Sequence, residues 1–112
     1  MDYYQVTLTP QAMEQLRQTA LYIAHTLQES ETAKRWADLL YKEIAGLCFM
    51  PSRYPLVEEE PWRSKGIHKM SVKNHLVYYW VNEEAKSVYV TAVIYGRRDQ
   101  LAALADITQD RF

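Results

Sequence analysis

Side chains able to transfer protons or bind a phosphate are concentrated in the carboxy-terminal half of this 112-residue chain. Metal-free cleavage of RNA needs a base for the 2′-hydroxyl, cations for the phosphate and an acid for the leaving oxygen. Residues of these types follow runs typical of neighbouring strands, and the candidates are Lys69, His75, Tyr78, Tyr95, Arg97 and Arg98. The pattern allows nuclease chemistry, although strand lysines and tyrosines most often solvate or pack, and a lone histidine is more often structural.

The adjacent guanidinium groups of Arg97 and Arg98 are the strongest of these candidates. They follow Gly96 at the end of an apolar run, where a loop can present both to an anion. Arg63 and Lys69 lie in a segment, residues 61–75, that contains no acidic residue. The net charge of −1 argues against a protein that coats nucleic acid over its whole surface. We therefore predict a local basic surface that binds one acidic partner.

Metal, nucleotide and membrane chemistry find little support in the sequence. The three histidines have neither the C-x2-C nor the H-E-x-x-H spacing, one cysteine cannot form a thiolate site, and the three glycines are isolated. No apolar run approaches the roughly 20 residues of a membrane span, and the amino terminus lacks the features of a signal peptide. We expect no metal, no cofactor and no membrane partner, and a cytoplasmic location.

The elements that would position the candidate residues are strands within Ser64–Asp99. Val77, Tyr79 and Val81 alternate with His75, Tyr78 and Trp80 around a Leu76 offset, and a second alternating run spans Val88–Tyr95. Asn82–Lys86 is polar and short enough to close an antiparallel hairpin between them. A third strand is predicted over Gly66–Val72, followed by a tight turn at Lys73-Asn74.

The amino-terminal half predicts one strand and two helices. Asp2–Leu8 alternates with Tyr4, Val6 and Leu8 facing inward, and Thr9 precedes Pro10 as an N-cap for a helix that reaches about Leu27. A second helix is predicted from Glu31 to about Phe49, capped by Ser30 and ended before Pro51. Both helices carry apolar stripes at three- and four-residue spacing, namely Met13, Leu16, Ala20, Ile23, Ala24 and Leu27 in the first, and Ala33, Trp36, Ala37, Leu40, Ile44, Leu47 and Cys48 in the second.

These elements predict one α+β domain over residues 1–112, in which a helical hairpin packs on a small antiparallel sheet. The element order is β-α-α-β-β-β, with a short last helix possible over Gln100–Ile107.

The order of elements and several short motifs resemble the RelE/ParE superfamily of toxins from type II toxin–antitoxin systems. The motifs span roughly Leu8 to Leu104 and are Leu8-Thr9-Pro10-Gln11-Ala12, Tyr22-Ile23-Ala24, Pro51, His75-Leu76-Val77-Tyr78-Tyr79-Trp80-Val81 and Val93-Ile94-Tyr95-Gly96-Arg97-Arg98-Asp99. The resemblance implies growth inhibition, a role in plasmid stabilisation and an antitoxin partner.

The two branches of this superfamily differ in their target. RelE-like members are ribosome-dependent mRNA endonucleases, whereas ParE-like members poison DNA gyrase and lack the nuclease residues. RelE-like enzymes place an arginine where this chain has Leu76, and they carry a carboxy-terminal tyrosine, whereas here no tyrosine follows Tyr95. Lys69 and Arg98 match family cationic positions. The chain is therefore more similar to the ParE branch, although Tyr95 stands where that branch often has histidine.

Three functional hypotheses follow from the resemblance. The first is a ParE-like inhibitor of gyrase, neutralised by a cognate antitoxin, with Arg63, Lys69, Tyr95, Arg97 and Arg98 as partner-binding residues. The second is a ribosome-dependent mRNA endonuclease that uses Lys69, His75, Arg97 and Arg98. The third is an inert member that only binds a partner.

Overall fold

The computed structural model describes residues 3–21, 30–72 and 75–95. The principal elements in chain order are β1 (Gln5–Leu8), α1 (Pro10–Leu21), α2 (Ser30–Ala45), β2 (Ile67–Val72), β3 (His75–Asn82) and β4 (Ser87–Tyr95). The predicted α+β architecture, two helices packed on a small sheet, is confirmed. The far end of the first predicted helix, the Lys73-Asn74 turn and the last helix lie outside the described residues.

The sheet has four strands in the order β1-β4-β3-β2. β2 pairs with β3 and β3 pairs with β4 in antiparallel fashion, whereas β1 pairs with β4 in parallel, Gln5 opposite Ser87. The predicted antiparallel sheet is therefore wrong for this one pair, and the sheet is mixed. A parallel pair requires a long crossover, and here both helices and two strands intervene between its members.

Thr9 joins the first strand to the first helix and also to the centre of the sheet. Its Oγ1 accepts the Ala12 N–H at 3.2 Å, which confirms the predicted N-cap, and Pro10 takes the first helical position. The same hydroxyl donates to the Thr91 carbonyl at 3.3 Å. The start of α1 is thereby fixed to β4.

Thr91 is an extra residue in β4, because Tyr78 pairs with Ala92 while Tyr79 pairs with Val90. Its buried hydroxyl donates to the Tyr78 carbonyl at 3.2 Å. β1 has ended at this level, so the Val93 N–H donates instead to Oε1 of Gln15 on α1 at 2.8 Å. The Gln15 side chain of α1 thus supplies an acceptor to β4 beside this β-bulge.

The main core lies between the helices and one face of the sheet. Much of both predicted apolar stripes is confirmed, because Leu16, Leu40, Ile44 and Leu47 are buried in this core. The strand residues Tyr4, Val6 and Leu8 pack against it. Met13 is an error of the prediction, because it is 50% exposed while its neighbour Ala12 is fully buried. The buried stripe of α1 therefore passes through Ala12 and Leu16, four residues apart, and leaves Met13 exposed.

A second, smaller core covers the opposite face of the sheet. Val57, Ile67, Tyr78 and Ala92 are buried there, with the partly buried rings of Trp62 and Trp80 around them. The cover is the segment between α2 and β2, whose Val57 N–H donates to the Ile67 carbonyl at 2.9 Å. The sequence did not predict this layer, because the segment has no helical or strand periodicity.

The second helix ends earlier than the predicted Phe49. α2 stops at Ala45, and 3₁₀ turns follow at Gly46–Cys48 and Pro51–Arg53. Met50 between them has φ 47° and ψ 58°, the left-handed conformation. That conformation costs a residue with a side chain about 1–2 kcal/mol, and proline at the next position restricts the backbone further.

Candidate functional site

The face of the sheet turned away from the helices carries the predicted cation of β2. Directly opposed residues of antiparallel strands share one face, and Lys69 lies opposite Tyr78 while Leu76 lies opposite Ile94. The segment before β2 covers part of this face, and the Lys69 N–H donates to the Pro55 carbonyl at 2.9 Å. Leu76 and Ile94 stay partly buried. The surroundings of Lys69 on this face are therefore mainly apolar.

His75 lies on the other face of the sheet, against the helices. The prediction that placed His75 with Tyr78 and Trp80 is wrong, since His75 is 3% exposed and contacts Trp36 of α2. Strict alternation along β3 puts His75 with Val77 and Tyr79, which belong to the main core. His75 and Lys69 are consequently separated by the sheet, and the structure does not bring these two candidates together.

The imidazole of His75 is held as a neutral hydrogen-bond acceptor. Trp36 Nε1 donates to His75 Nδ1 at 3.0 Å, and the two ring centroids lie 4.7 Å apart. Burial lowers the pKa of His75, opposed by a smaller effect of the Val72 backbone. An Nδ1 that accepts must carry no proton, so the neutral ring is protonated at Nε2. The hydrogen bond between Trp36 and His75 therefore links α2 to β3.

Tyr78 is also poorly suited to proton transfer. Its side chain is 1% exposed within the second core, and burial, with a smaller effect of the Glu59 charge, raises its pKa to about 12. The phenol is thus neutral at physiological pH and packs beneath the covering segment.

Arg63 lies in the covering segment and braces it. One guanidinium nitrogen of Arg63 donates to the Val57 carbonyl at 3.2 Å, while the residue as a whole stays exposed. Tyr95 is the last residue of β4, opposite His75 in the register. Arg97 and Arg98 lie outside the described residues. Of the predicted cations, Lys69 thus lies on the covered face of the sheet and Arg63 lies beside it. Arg97 and Arg98 follow β4 in the sequence.

The helices present a groove that the sequence did not predict. A cavity of about 510 Å³ lies between α1 and α2, with Leu16 and Trp36 among its lining residues and the exposed Met13 and Tyr41 at its sides. The rest of its lining is Pro10, Glu14, Arg17, Ala20 and Ala37. Glu14 and Arg17 form an ion pair at 2.6 Å there. Two of the lining residues, Ala20 and Ala37, have short side chains.

Within the described residues, no group of three histidine, cysteine or acidic side chains is placed to hold a metal ion. No described helix is long and apolar enough to cross a membrane.

Several solved structures share this fold. The chain superimposes on the chromosomal ParDE toxin–antitoxin system of P. aeruginosa with a TM-score of 0.69 at 12% identity, over 85% of this chain and 98% of that one. The RelBE2 toxin–antitoxin complex of Mycobacterium tuberculosis gives a TM-score of 0.57 at 19% identity, over 85% and 93%. A mutant E. coli toxin RelE in the free state gives 0.60 at 15% identity, over 97% of each chain. The chain thus has the α+β fold of these toxin structures, with two helices packed on a four-stranded mixed sheet.

The sequence places the chain more narrowly within that class. The family described as the ParE toxin of the type II toxin–antitoxin system parDE matches residues 6–100, and the chain belongs to this family. A search of curated protein sequences finds no match.

Proposed function

We propose that this chain arrests growth in the cytoplasm by binding DNA gyrase, and that a cognate antitoxin neutralises it. The observation that carries the proposal is the separation of Lys69 from His75 by the sheet, with Leu76 beside Lys69 on the outer face. A nuclease needs its base and its phosphate-binding cations around one scissile bond. A toxin that acts by binding needs no such convergence.

Basic side chains supply the polar part of the proposed binding surface. We assign partner binding to Arg63 and Lys69 on the covered side of the sheet and to Tyr95, Arg97 and Arg98 at and beyond the end of β4. Arginine and lysine there would pair with carboxylates of the antitoxin or of the target.

The groove between α1 and α2 supplies the apolar part. Its exposed Met13 and Tyr41, with Leu16 below them, suit the apolar stripe of an amphipathic helix. We therefore assign this groove to the antitoxin.

Two reactions distinguish the proposed target from the ribosome. The purified chain is added to a DNA supercoiling reaction with gyrase and, separately, to ribosomes programmed with mRNA. We expect inhibition of supercoiling and intact mRNA. Cleavage in the ribosomal A site that is lost on Arg98→Ala would overturn the proposal in favour of the mRNA endonuclease. Absence of growth arrest in cells that lack the antitoxin would support an inert member that only binds a partner.

Paired substitutions test the basic surface. Arg97→Ala with Arg98→Ala should weaken antitoxin binding and toxicity, because two charge-assisted contacts are lost. Lys34→Ala with Arg35→Ala is the matched control, since both residues are exposed neighbours on α2. Unchanged affinity and unchanged toxicity of the first variant would remove the arginine pair from the proposed surface.

A further inference from the structure

Among the described residues, the last part of β4 has a neighbouring strand on one side only. β1 pairs with β4 from Ser87 to Val90, whereas β3 continues beside β4 as far as Tyr95. The Val93 N–H donates away from β3, in a residue that is only 2% exposed. A buried donor that is left without an acceptor costs about 1–3 kcal/mol. This end of the strand therefore needs an acceptor from outside the sheet.

Gln15 of α1 supplies that acceptor with its side-chain amide. Its Oε1 accepts the Val93 N–H at 2.8 Å, and the residue is partly buried beside the fully packed Leu16. An apolar side chain at this position would leave the Val93 amide unpaired. The amide of Gln15 therefore joins the helix to the strand at one defined point.

The β-bulge at Thr91 precedes this contact and is tied to the start of the same helix. Strict alternation from Val90 in the main core would put Ala92 in that core as well. Ala92 lies instead in the second core and Val93 in the main core, because Thr91 is an extra residue. The Thr91 carbonyl accepts the Thr9 hydroxyl at 3.3 Å. Since a bulge bends and twists its strand, these contacts determine how β4 continues towards its carboxy end.

The end of β4 leads into the arginine pair of the proposed basic surface. Tyr95 is the last residue of the strand, and Arg97 and Arg98 follow it within three residues. Arg97 comes four residues after Val93 in the chain. Four residues of polypeptide span at most roughly 14 Å. The place at which the Val93 amide is held therefore limits where the arginine pair can lie.

The helix that holds the end of β4 also forms one wall of the groove assigned to the antitoxin. Glu14 and Leu16, the residues on either side of Gln15, both line that groove. The bond from Gln15 to Val93 thus connects two parts of the proposed binding surface, the groove and the arginine pair. A partner that contacts both parts binds more tightly when their relative position is fixed beforehand, because less ordering is needed on binding.

We infer that Gln15 is a positioning residue for antitoxin binding, which holds the end of β4 against α1 so that the groove and the arginine pair engage one antitoxin molecule together. The inference rests on the proposed function, in which the antitoxin binds both surfaces. The effect of Gln15 passes through Arg97 and Arg98. Its size should therefore depend on the arginine pair, whereas a merely structural residue would act independently of it.

A double-mutant cycle measures this dependence. The purified cognate antitoxin is titrated by calorimetry into the wild-type chain, Gln15→Ala, the variant Arg97→Ala with Arg98→Ala, and the combination of all three substitutions. Titrations are made at a temperature at which circular dichroism shows each variant to be folded. Gln15→Ala should lower the affinity by about three- to tenfold. In its background, the arginine substitutions should weaken binding by a factor about threefold smaller than in the wild-type chain.

Three further variants separate the lost hydrogen bond from other effects. Gln15→Glu keeps an acceptor oxygen and should bind within about twofold of wild type. Gln18→Ala is the matched control, because it makes the same change at an exposed position of α1, and its affinity should equal that of wild type. If Gln15→Ala does not fold, Gln15→Met takes its place in the cycle, since it has a similar length without a carbonyl acceptor.

Each other result has a defined consequence. Unchanged affinity of Gln15→Ala, or equal effects of the arginine substitutions in both backgrounds, would overturn this inference alone. A loss in Gln15→Glu or Gln18→Ala as large as that in Gln15→Ala would overturn it as well, because the acceptor would then not be the cause. No binding of the antitoxin by the wild-type chain, or no effect of the arginine substitutions in that chain, would overturn the proposed binding surface together with it.

Discussion

Acidification should weaken the attachment of α2 to the sheet through the contact between Trp36 and His75. The indole N–H donates to Nδ1 of the buried imidazole at 3.0 Å. Protonation places a hydrogen on that nitrogen and gives the ring its second N–H, so two donors then face each other without an acceptor. The neutral ring is therefore part of the folded structure, and the charged ring is not.

The sign and size of the effect follow from the pKa of His75. Burial lowers this pKa in the folded chain below its ordinary value of about 6.5. Between these two values the unfolded chain binds a proton that the folded chain does not, so stability is complete above pH 6.5 and falls as the pH is lowered. A difference of one bound proton lowers the free energy of unfolding by about 1.4 kcal/mol for each pH unit of acidification. The midpoint of urea unfolding then falls by about 0.5 to 1.4 M per pH unit.

The assay is urea unfolding followed by circular dichroism from pH 7.5 to pH 5.5. The pKa values of Glu14 and Glu60 are lowered by their hydrogen bonds to Arg17 and Ser64, so these carboxylates are protonated below this range. The control His75→Gln keeps an acceptor for Trp36 but cannot be protonated. We expect a smaller pH dependence in this variant, and equal slopes for variant and wild type would refute the reasoning.

Two further substitutions test the packing. Leu40→Ala should lower the free energy of unfolding by about 2–5 kcal/mol, because Leu40 is fully buried, whereas Leu21→Ala at an exposed position should change it by less than about 0.5 kcal/mol. If urea unfolding showed a similarly small loss of unfolding free energy for Leu40→Ala and Leu21→Ala, Leu40 would not be a core residue. Gln15→Ala should lower it by about 1–3 kcal/mol and speed hydrogen exchange of the Val93 amide, because that amide loses its acceptor, while Gln15→Glu should retain slow exchange. An unchanged exchange rate in Gln15→Ala would show that the bulge does not depend on this contact.

The elements with regular periodicity were predictable from the sequence. Val77, Tyr79 and Val81 lie on one face of β3, as the alternation requires, and β3 and β4 differ from their predicted bounds by one residue. Thr9 caps α1 because threonine followed by proline suits the first helical turn. These features depend on local chemistry, which the sequence states directly.

Features set by tertiary contacts were not predictable. A polar residue is usually assigned to the exposed face, but His75 is buried because Trp36 supplies a donor from a distant segment. The same reason applies to β1, whose own residues do not reveal that its neighbour β4 runs in parallel. Nor does any period mark Val57 and Trp62 as a cover for the second core. The candidate site was consequently predicted as residue types, whereas the separation of its members by the sheet required the structure.

The parallel pairing of β1 with β4 also has a consequence during synthesis. Ser87 leaves the ribosome about 80 residues after its partner Gln5, which at typical elongation rates is about 4 to 16 s. Until then the first strand has no neighbour, and a nascent chain interrupted before β4 lacks the strand that joins β1 to β3. The four-stranded sheet therefore cannot form until β4 has been synthesised, and chains that stop before this strand cannot adopt the fold.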